Sequence, residues 1–236
     1  MVYIGSYITL EELCKICYNR EKNKRGYFSM TFKKVIAFTL SEVLITMSIV
    51  GAVAALTIPT LHYQRMKKEY SAKLKNFYSK MNNAILDMEL DKGSFRDMKL
   101  PSQGNGYAWY MENIDPYLGH AYVDDVHKEV YYKDGSRLLT FYTGGCLDVN
   151  YDVNGDKSPN REGYDTYRFL YCFDDTNRNS WFGNKDIFFG TYGSGLSGAG
   201  VSRESMISKC QTDRSWCTRL LQNDQWEFKS DYPFKF

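Results

Sequence analysis

The sequence predicts an α+β protein in which one long N-terminal helix packs on a small antiparallel β-sheet head. Three observations predict it. Val35 to Leu61 is a run of 27 residues carrying one charge, Glu42. Tyr70, Leu74, Phe77, Met81, Ile85 and Met88 then recur every three or four positions, a single helical stripe. Beyond Gly93 the chain breaks into short apolar segments punctuated by Gly, Asp and Asn.

Composition narrows the class. The 236 residues hold 30 Lys and Arg against 28 Asp and Glu. That near balance excludes a dedicated nucleic-acid binder, which carries a basic excess. The negative mean hydropathy excludes many membrane spans but averages one apolar segment with one polar one. Charge segregates as well. Residues 1–37 hold seven basic and three acidic residues, a net of +4, and the remaining 23 basic and 25 acidic residues leave 38–236 at −2.

The apolar run is long enough to cross a bilayer, for which about 20 residues suffice. Basic residues before it, including Lys33 and Lys34, favour a cytoplasmic N-terminus. Arg65, Lys67 and Lys68 after it weaken that bias. A secretory signal has a shorter apolar core followed by a small-residue cleavage site. Here the small residue precedes the run, in Lys33-Lys34-Val35-Ile36-Ala37 followed by Phe38-Thr39-Leu40-Ser41-Glu42.

This segment resembles the prepilin-type leader of type IV pilins and type II secretion pseudopilins. The resemblance covers Lys33 to Leu61. Ala37 stands at the last leader position, where the family prefers Gly and accepts Ala. Glu42 stands at the fifth mature position, and Gly51 and Pro59 fall where pilin helices carry Gly and a bending Pro. The resemblance implies cleavage between Ala37 and Phe38 by the prepilin peptidase, N-methylation of Phe38, and polymerisation through the hydrophobic helix. It also implies that Glu42 meets the free amine of a neighbouring subunit's Phe38. An ionisable group in hydrocarbon is costly and normally marks a function or a partner. The bland alternative is a helix-end Glu42 reaching the headgroups.

The domain expectation follows. Residues 1–37 are a leader removed on maturation, 38–61 a transmembrane and assembly helix, 62–92 its amphipathic continuation, and 93–236 a β-rich extracytoplasmic head. Translation from Met30 would leave an eight-residue leader ending at Ala37. Cys14-x-x-Cys17 lies in the leader and lacks the second pair that a zinc site needs.

In the head, Val130 to Lys133 and Arg137 to Tyr142 flank Asp134-Gly135, a hairpin turn signal. Leu147 to Tyr151, Tyr167 to Phe173 and Asp186 to Tyr192 are the further strand candidates. Many of the 20 Tyr fall here, and strand propensity and amphipathic surface account for them. Cys146, Cys172, Cys210 and Cys217 follow the run, an even number suited to disulfides in an oxidising compartment. Proximity favours Cys210–Cys217 and Cys146–Cys172 among three pairings.

Asp152, Asn154, Asp156 and Asp165 alternate with a glycine turn, like the first half of a calcium loop. Position 12 counted from Asp152 is Gly163, so the EF-hand spacing fails. Two readings stand: an Asx-rich structural turn, or a site for a structural Ca²⁺. No other cofactor is expected. His62, His120 and His127 form no close metal pair, and Gly193 to Gly200 lacks the Lys of a phosphate loop. No enzyme is expected.

The function expected is a structural filament subunit, of a type IV pilus or a type II secretion pseudopilus. Its partners would be itself and other pilin-like subunits, the prepilin peptidase, an inner-membrane assembly platform and the lipid bilayer, with no specific nucleic acid. It would be a single-pass protein of the bacterial inner membrane, later part of a periplasmic or cell-surface filament. The alternative is a membrane-anchored extracytoplasmic module binding calcium, a glycan or a surface partner.

Overall fold

The computed structural model describes residues 38–142, 144–193 and 201–235. Ala37, the Cys14-x-x-Cys17 pair and most of the Gly193–Gly200 stretch lie outside the described residues. The chain divides into two units, Met1–Gly51 and Ala52–Phe236.

Helix α1, Leu40–Lys92, has 53 residues, close to the predicted extent. In the first unit its described apolar side chains are exposed, Leu40 at 77% and Met47 at 70%. In the second unit Leu56 and Leu61 are exposed too. Pro59 lies inside the helix, which it deprives of one backbone donor. From Tyr70 the predicted stripe is buried, with Ala84 added to it. Gly93, at φ 93°, stops the helix in a conformation that favours glycine.

Two helices, α2 (Gly106–Asn113) and α3 (Asp115–Leu118), lead into strands β1 (Tyr122–Asp124), β2 (Glu129–Tyr131), β3 (Arg137–Tyr142), β4 (Cys146–Asp152) and β5 (Thr166–Cys172). Helix α4 (Asp175–Phe182) precedes β6 (Phe189–Thr191), and α5 (Arg203–Thr212) and α6 (Cys217–Asn223) follow. Among the described residues the six strands form one antiparallel meander in sequence order.

Strand alternation gives the sheet two faces. Leu147, Val149 and Tyr151 of β4 and Tyr167, Phe169 and Tyr171 of β5 join the α1 stripe in one apolar core. Phe77 is its centre: its ring stacks on Tyr151 at 3.8 Å and meets Phe169 edge-on at 5.1 Å. On the opposite face Leu170, Cys146 and Cys172 pack with Phe182 of α4. The α+β class is therefore as predicted. Helices α2 to α6 and strand β1 were not, because each is short and buries only a few side chains.

The tyrosines correct the surface expectation. Tyr110, Tyr151, Tyr167 and Tyr171 are among the largest fully buried side chains. Their hydroxyls need partners there: Tyr167 donates to the Tyr164 carbonyl at 2.7 Å, Tyr171 contacts the Met81 sulfur at 2.9 Å, and Tyr110 bonds Tyr132. Burial holds the Tyr110, Tyr167 and Tyr171 phenols well above their ordinary range.

The C-terminal segment is clamped by charge. Arg203 bonds the buried Asp224 through Nε at 2.7 Å and Nη2 at 2.8 Å, and Asp231 through Nη1 at 2.6 Å. Burial pushes the Asp224 carboxyl up, but Arg203 and Lys229 outweigh it and hold it below the usual carboxylate range. Arg203 lowers Asp231 as well. Folded values below the unfolded one mean stability that is present above about pH 4 and lost as pH falls through the folded values. The melting temperature should therefore drop below about pH 4. In Arg203→Gln the drop should be shallower and the neutral-pH value lower, as read by thermal denaturation from pH 6 to pH 2.

Candidate functional site: the apolar helix and the acidic loop

The N-terminal end of α1 is built by Thr39 and Glu42. The Thr39 backbone N–H and hydroxyl each donate to Glu42 Oε2 at 2.8 Å, and the Glu42 N–H donates to Thr39 Oγ1 at 3.2 Å. This is a reciprocal capping box, in which the carboxylate at the third helical position satisfies a donor that the helix leaves open. Its signature, Thr-x-x-Glu, stands in the sequence as Thr39 to Glu42. Glu42 thus has a local partner within its own chain as well as the neighbour's amine expected for it. Phe38 is exposed at 79%.

Among the described residues, α1 is one helix long and apolar enough to cross a membrane. Hydroxyls inside it turn inward on the helix: Ser48 donates to the Leu44 carbonyl at 2.7 Å and Thr57 to the Val53 carbonyl at 3.0 Å. Such back-bonding keeps polar groups satisfied in an apolar medium.

Both expected disulfides are present. Cys146 and Cys172 face each other in the β4–β5 register, with Cα atoms 4.1 Å apart. Cys210–Cys217 ties α5 to α6.

The acidic loop connects β4 to β5. Gly155, at φ 71°, sits where a Cβ would lie 2.8 Å from the Gly135 carbonyl, so close approach and backbone conformation both call for glycine. Asp165, fully buried, accepts from the Asn160 and Arg161 backbone N–H groups at 2.9 and 2.7 Å and from Asn154 Nδ2 at 3.3 Å. Asn154 also donates to the Tyr70 hydroxyl at 3.0 Å, and Lys73 donates to the Val153 carbonyl at 2.8 Å, fixing the loop to α1. Tyr232 donates to the Gly163 carbonyl at 2.7 Å from the other side.

Strand register decides what the carboxylates can do. It sets Arg137 directly opposite Asp152. Arg137 bonds Asp152 Oδ2 at 3.3 Å, Asp156 Oδ1 at 2.8 Å and Glu129 Oε1 at 3.2 Å. Asp156 also lies 2.8 Å from the Tyr131 hydroxyl, so its side chain is turned to the sheet. Asp152 is fully buried. Burial pushes its carboxyl up to about 6, while the Asn154 N–H, Arg137 and Thr166 oppose that and Asp165 adds to it.

Of the predicted set, Asn154 and Asp165 bond each other in the base of the loop, while Asp152 and Asp156 share Arg137. Among the described residues no group of three or more His, Cys, Asp or Glu side chains is disposed to hold a metal ion. Three acceptors converge instead on the Asn160 side-chain amide, which the spacing of carboxylates did not single out. With its nitrogen turned toward them, the Asn160 side-chain amide donates to Asp152 Oδ2 at 2.9 Å, the Gly155 carbonyl at 3.0 Å and the Lys157 carbonyl at 3.1 Å, which ties the turn together.

No curated protein and no solved structure matches the chain. Residues 60–236 match the Family of unknown function (DUF6613). That stretch holds the buried part of α1, the sheet, both disulfides and the acidic loop, and on this match the chain belongs to the Family of unknown function (DUF6613).

Proposed function

We propose that the chain is a filament subunit of the type IV pilin and pseudopilin class, made as a single-pass membrane precursor and polymerised through α1. The observation that carries this reading is the division of labour along α1. Apolar side chains of its N-terminal part are exposed, while Tyr70 to Met88 form the core of the sheet-bearing unit. An exposed apolar helix must be covered by lipid or by other helices. A subunit that moves from bilayer to filament core uses both covers in turn. Glu42 adds a register, since a carboxylate among apolar side chains penalises every packing that leaves it unpaired.

In this reading the prepilin peptidase cuts between Ala37 and Phe38. The new Phe38 amine, methylated, meets Glu42 of a neighbouring subunit. The antiparallel sheet and its helices form the extracytoplasmic head, in a compartment that sustains the Cys146–Cys172 and Cys210–Cys217 bonds. The protein is the peptidase's substrate, with a structural role and no catalytic one.

Expression with and without a prepilin peptidase tests the processing step. The immunoblot should show a smaller product only with the enzyme, and its N-terminal peptide should begin at Phe38 with one added methyl group. An unchanged size would remove the filament reading. It would favour a membrane-anchored binding module, which needs neither cleavage nor Glu42.

A further inference from the structure

We infer that the end of the sheet-bearing unit next to Leu61 is a docking face for anionic lipid headgroups. Arg65, Lys67 and Lys68 of α1 form it with Lys157, Arg161 and Arg214 of the head. This face rests on the membrane-anchored part of the reading above and needs no filament.

Charge along α1 carries the argument. From His62 to Lys80 the helix holds six basic residues and one acidic, a net of +5. From Met81 to Lys92 it holds one basic and three acidic, a net of −2. The sign reverses within one helix, and the cations occupy the end that adjoins the apolar run. A helix face that serves only solvation alternates the two signs along its length.

The head adds cations to the same end. Asn154 bonds the Tyr70 hydroxyl and Lys73 bonds the Val153 carbonyl, so the β4–β5 loop lies level with the first docked turn of α1. Lys157 and Arg161 are exposed on this loop. Arg161 and Arg214 lie over the Tyr164 ring at 5.4 and 5.6 Å, which brings the α5–α6 connection to it. Nearby acids are engaged elsewhere: Glu69 with Lys73, Asp156 with Arg137 and Glu162 with Arg168. Among the described residues none of the six cations is in an ion pair.

The spacing suits a headgroup layer. Arg65 follows Leu61 by about one helical turn, and Tyr70 by about 14 Å. The polar layer on each side of a bilayer is about 5–8 Å deep, and charges act about 8 Å further at physiological ionic strength. The α1 cations therefore emerge among the lipid phosphates, and the loop lies within reach of their field. Tyr63, whose ring lies 4.5 Å from Lys67 Nζ, stands where interfacial aromatic residues anchor a spanning helix. An acidic protein surface would match the charge too, but the adjoining apolar run already brings lipid to this end.

The full chain in lipid vesicles is the material for the test. All four tryptophans, Trp109, Trp181, Trp216 and Trp226, lie in the head. Energy transfer from them to a headgroup-attached acceptor lipid therefore reads the approach of the head to the bilayer. Adding phosphatidylglycerol to phosphatidylcholine vesicles should raise the transfer. At about 1 M salt, where the screening length is about 3 Å, the rise should vanish. Each Lys or Arg near an anionic surface strengthens docking about fivefold. The Arg65→Gln/Lys67→Gln/Lys68→Gln chain and the Lys157→Gln/Arg161→Gln chain should each dock at least about tenfold more weakly. Lys99→Gln, beyond the opposite end of α1, should respond as wild type. Equal transfer with and without phosphatidylglycerol in the wild-type chain would overturn lipid docking and assign the cations to an acidic protein surface. A rise that survives high salt, or charge variants that respond as wild type, would overturn it too. Carbonate washing separates the two readings. A chain washed off both vesicles overturns the membrane reading and this face with it, whereas a retained chain blind to phosphatidylglycerol overturns the face alone.

Discussion

Glu42→Gln and Glu42→Ala chains should insert into the membrane at wild-type levels, and both should be missing from sheared filaments. The pair separates the two jobs that the structure and the filament reading assign to this carboxylate. Within its own chain Glu42 caps α1, accepting from the Thr39 backbone and hydroxyl. Gln accepts the same bonds, since a capping box takes Glu or Gln at this position. Loss of the cap, in Glu42→Ala alone, costs about 0.5–2 kcal/mol of helix stability. Between chains, the proposed partner is the Phe38 amine of a neighbour. Removing one member of a buried ion pair costs about 3–5 kcal/mol, because the other charge is left alone in low dielectric. At about 1.4 kcal/mol per tenfold, that is two to four orders of magnitude in subunit affinity. Gln should therefore be nearly as defective as Ala. Filaments of normal abundance from Glu42→Gln, with loss only in Glu42→Ala, would assign the residue to capping and remove the charge-pairing role.

Phe77→Ala should destabilise the sheet-bearing unit by about 3–5 kcal/mol, the range for deleting a buried aromatic ring. Phe77 is 5% exposed, stacks on Tyr151 and meets Phe169 and Phe189 edge-on, so its loss opens a cavity lined by rings from β4, β5 and β6. At about 2–4 °C per kcal/mol for a chain of this size, the melting temperature should fall by roughly 10 °C. Leu86, on the same helix and 59% exposed, is the control, and Leu86→Ala should shift stability by no more than about 0.5 kcal/mol. Equal melting temperatures for the two variants would mean that the stripe of α1 is not docked on the sheet. Membrane insertion should be unchanged in both, since neither residue lies in the apolar run.

Several elements are legible before any coordinates. The apolar run and the Tyr70-to-Met88 stripe are periodic signals carried within α1, and Gly93 ends it as a positive-φ residue. Asp134-Gly135 marks the β2–β3 hairpin, and the register Tyr131↔Arg137 follows from so short a connection. The disulfides were legible because their partners are near in sequence, seven and 26 residues apart. Helices α4, α5 and α6 were not. Helix α4 buries Arg178 and Phe182, and α5 buries Met206 and Cys210, too few positions to establish a period.

For the acidic loop, sequence determined the composition: hard oxygens and a glycine turn between two strands. Tertiary structure decided which oxygens are available. Lateral register placed Arg137 opposite Asp152, and Arg137 then took Asp156, while Asp165 was consumed by backbone N–H groups of its own loop. Spacing along a chain reports which side chains can share a helix face or a turn. It does not report a pairing between strands, which depends on the packing of distant residues. The apolar helix and its single carboxylate are local facts, written between Val35 and Leu61. The sharing of Arg137 by Glu129, Asp152 and Asp156 is a fact of register, created only when β2, β3 and β4 lie side by side.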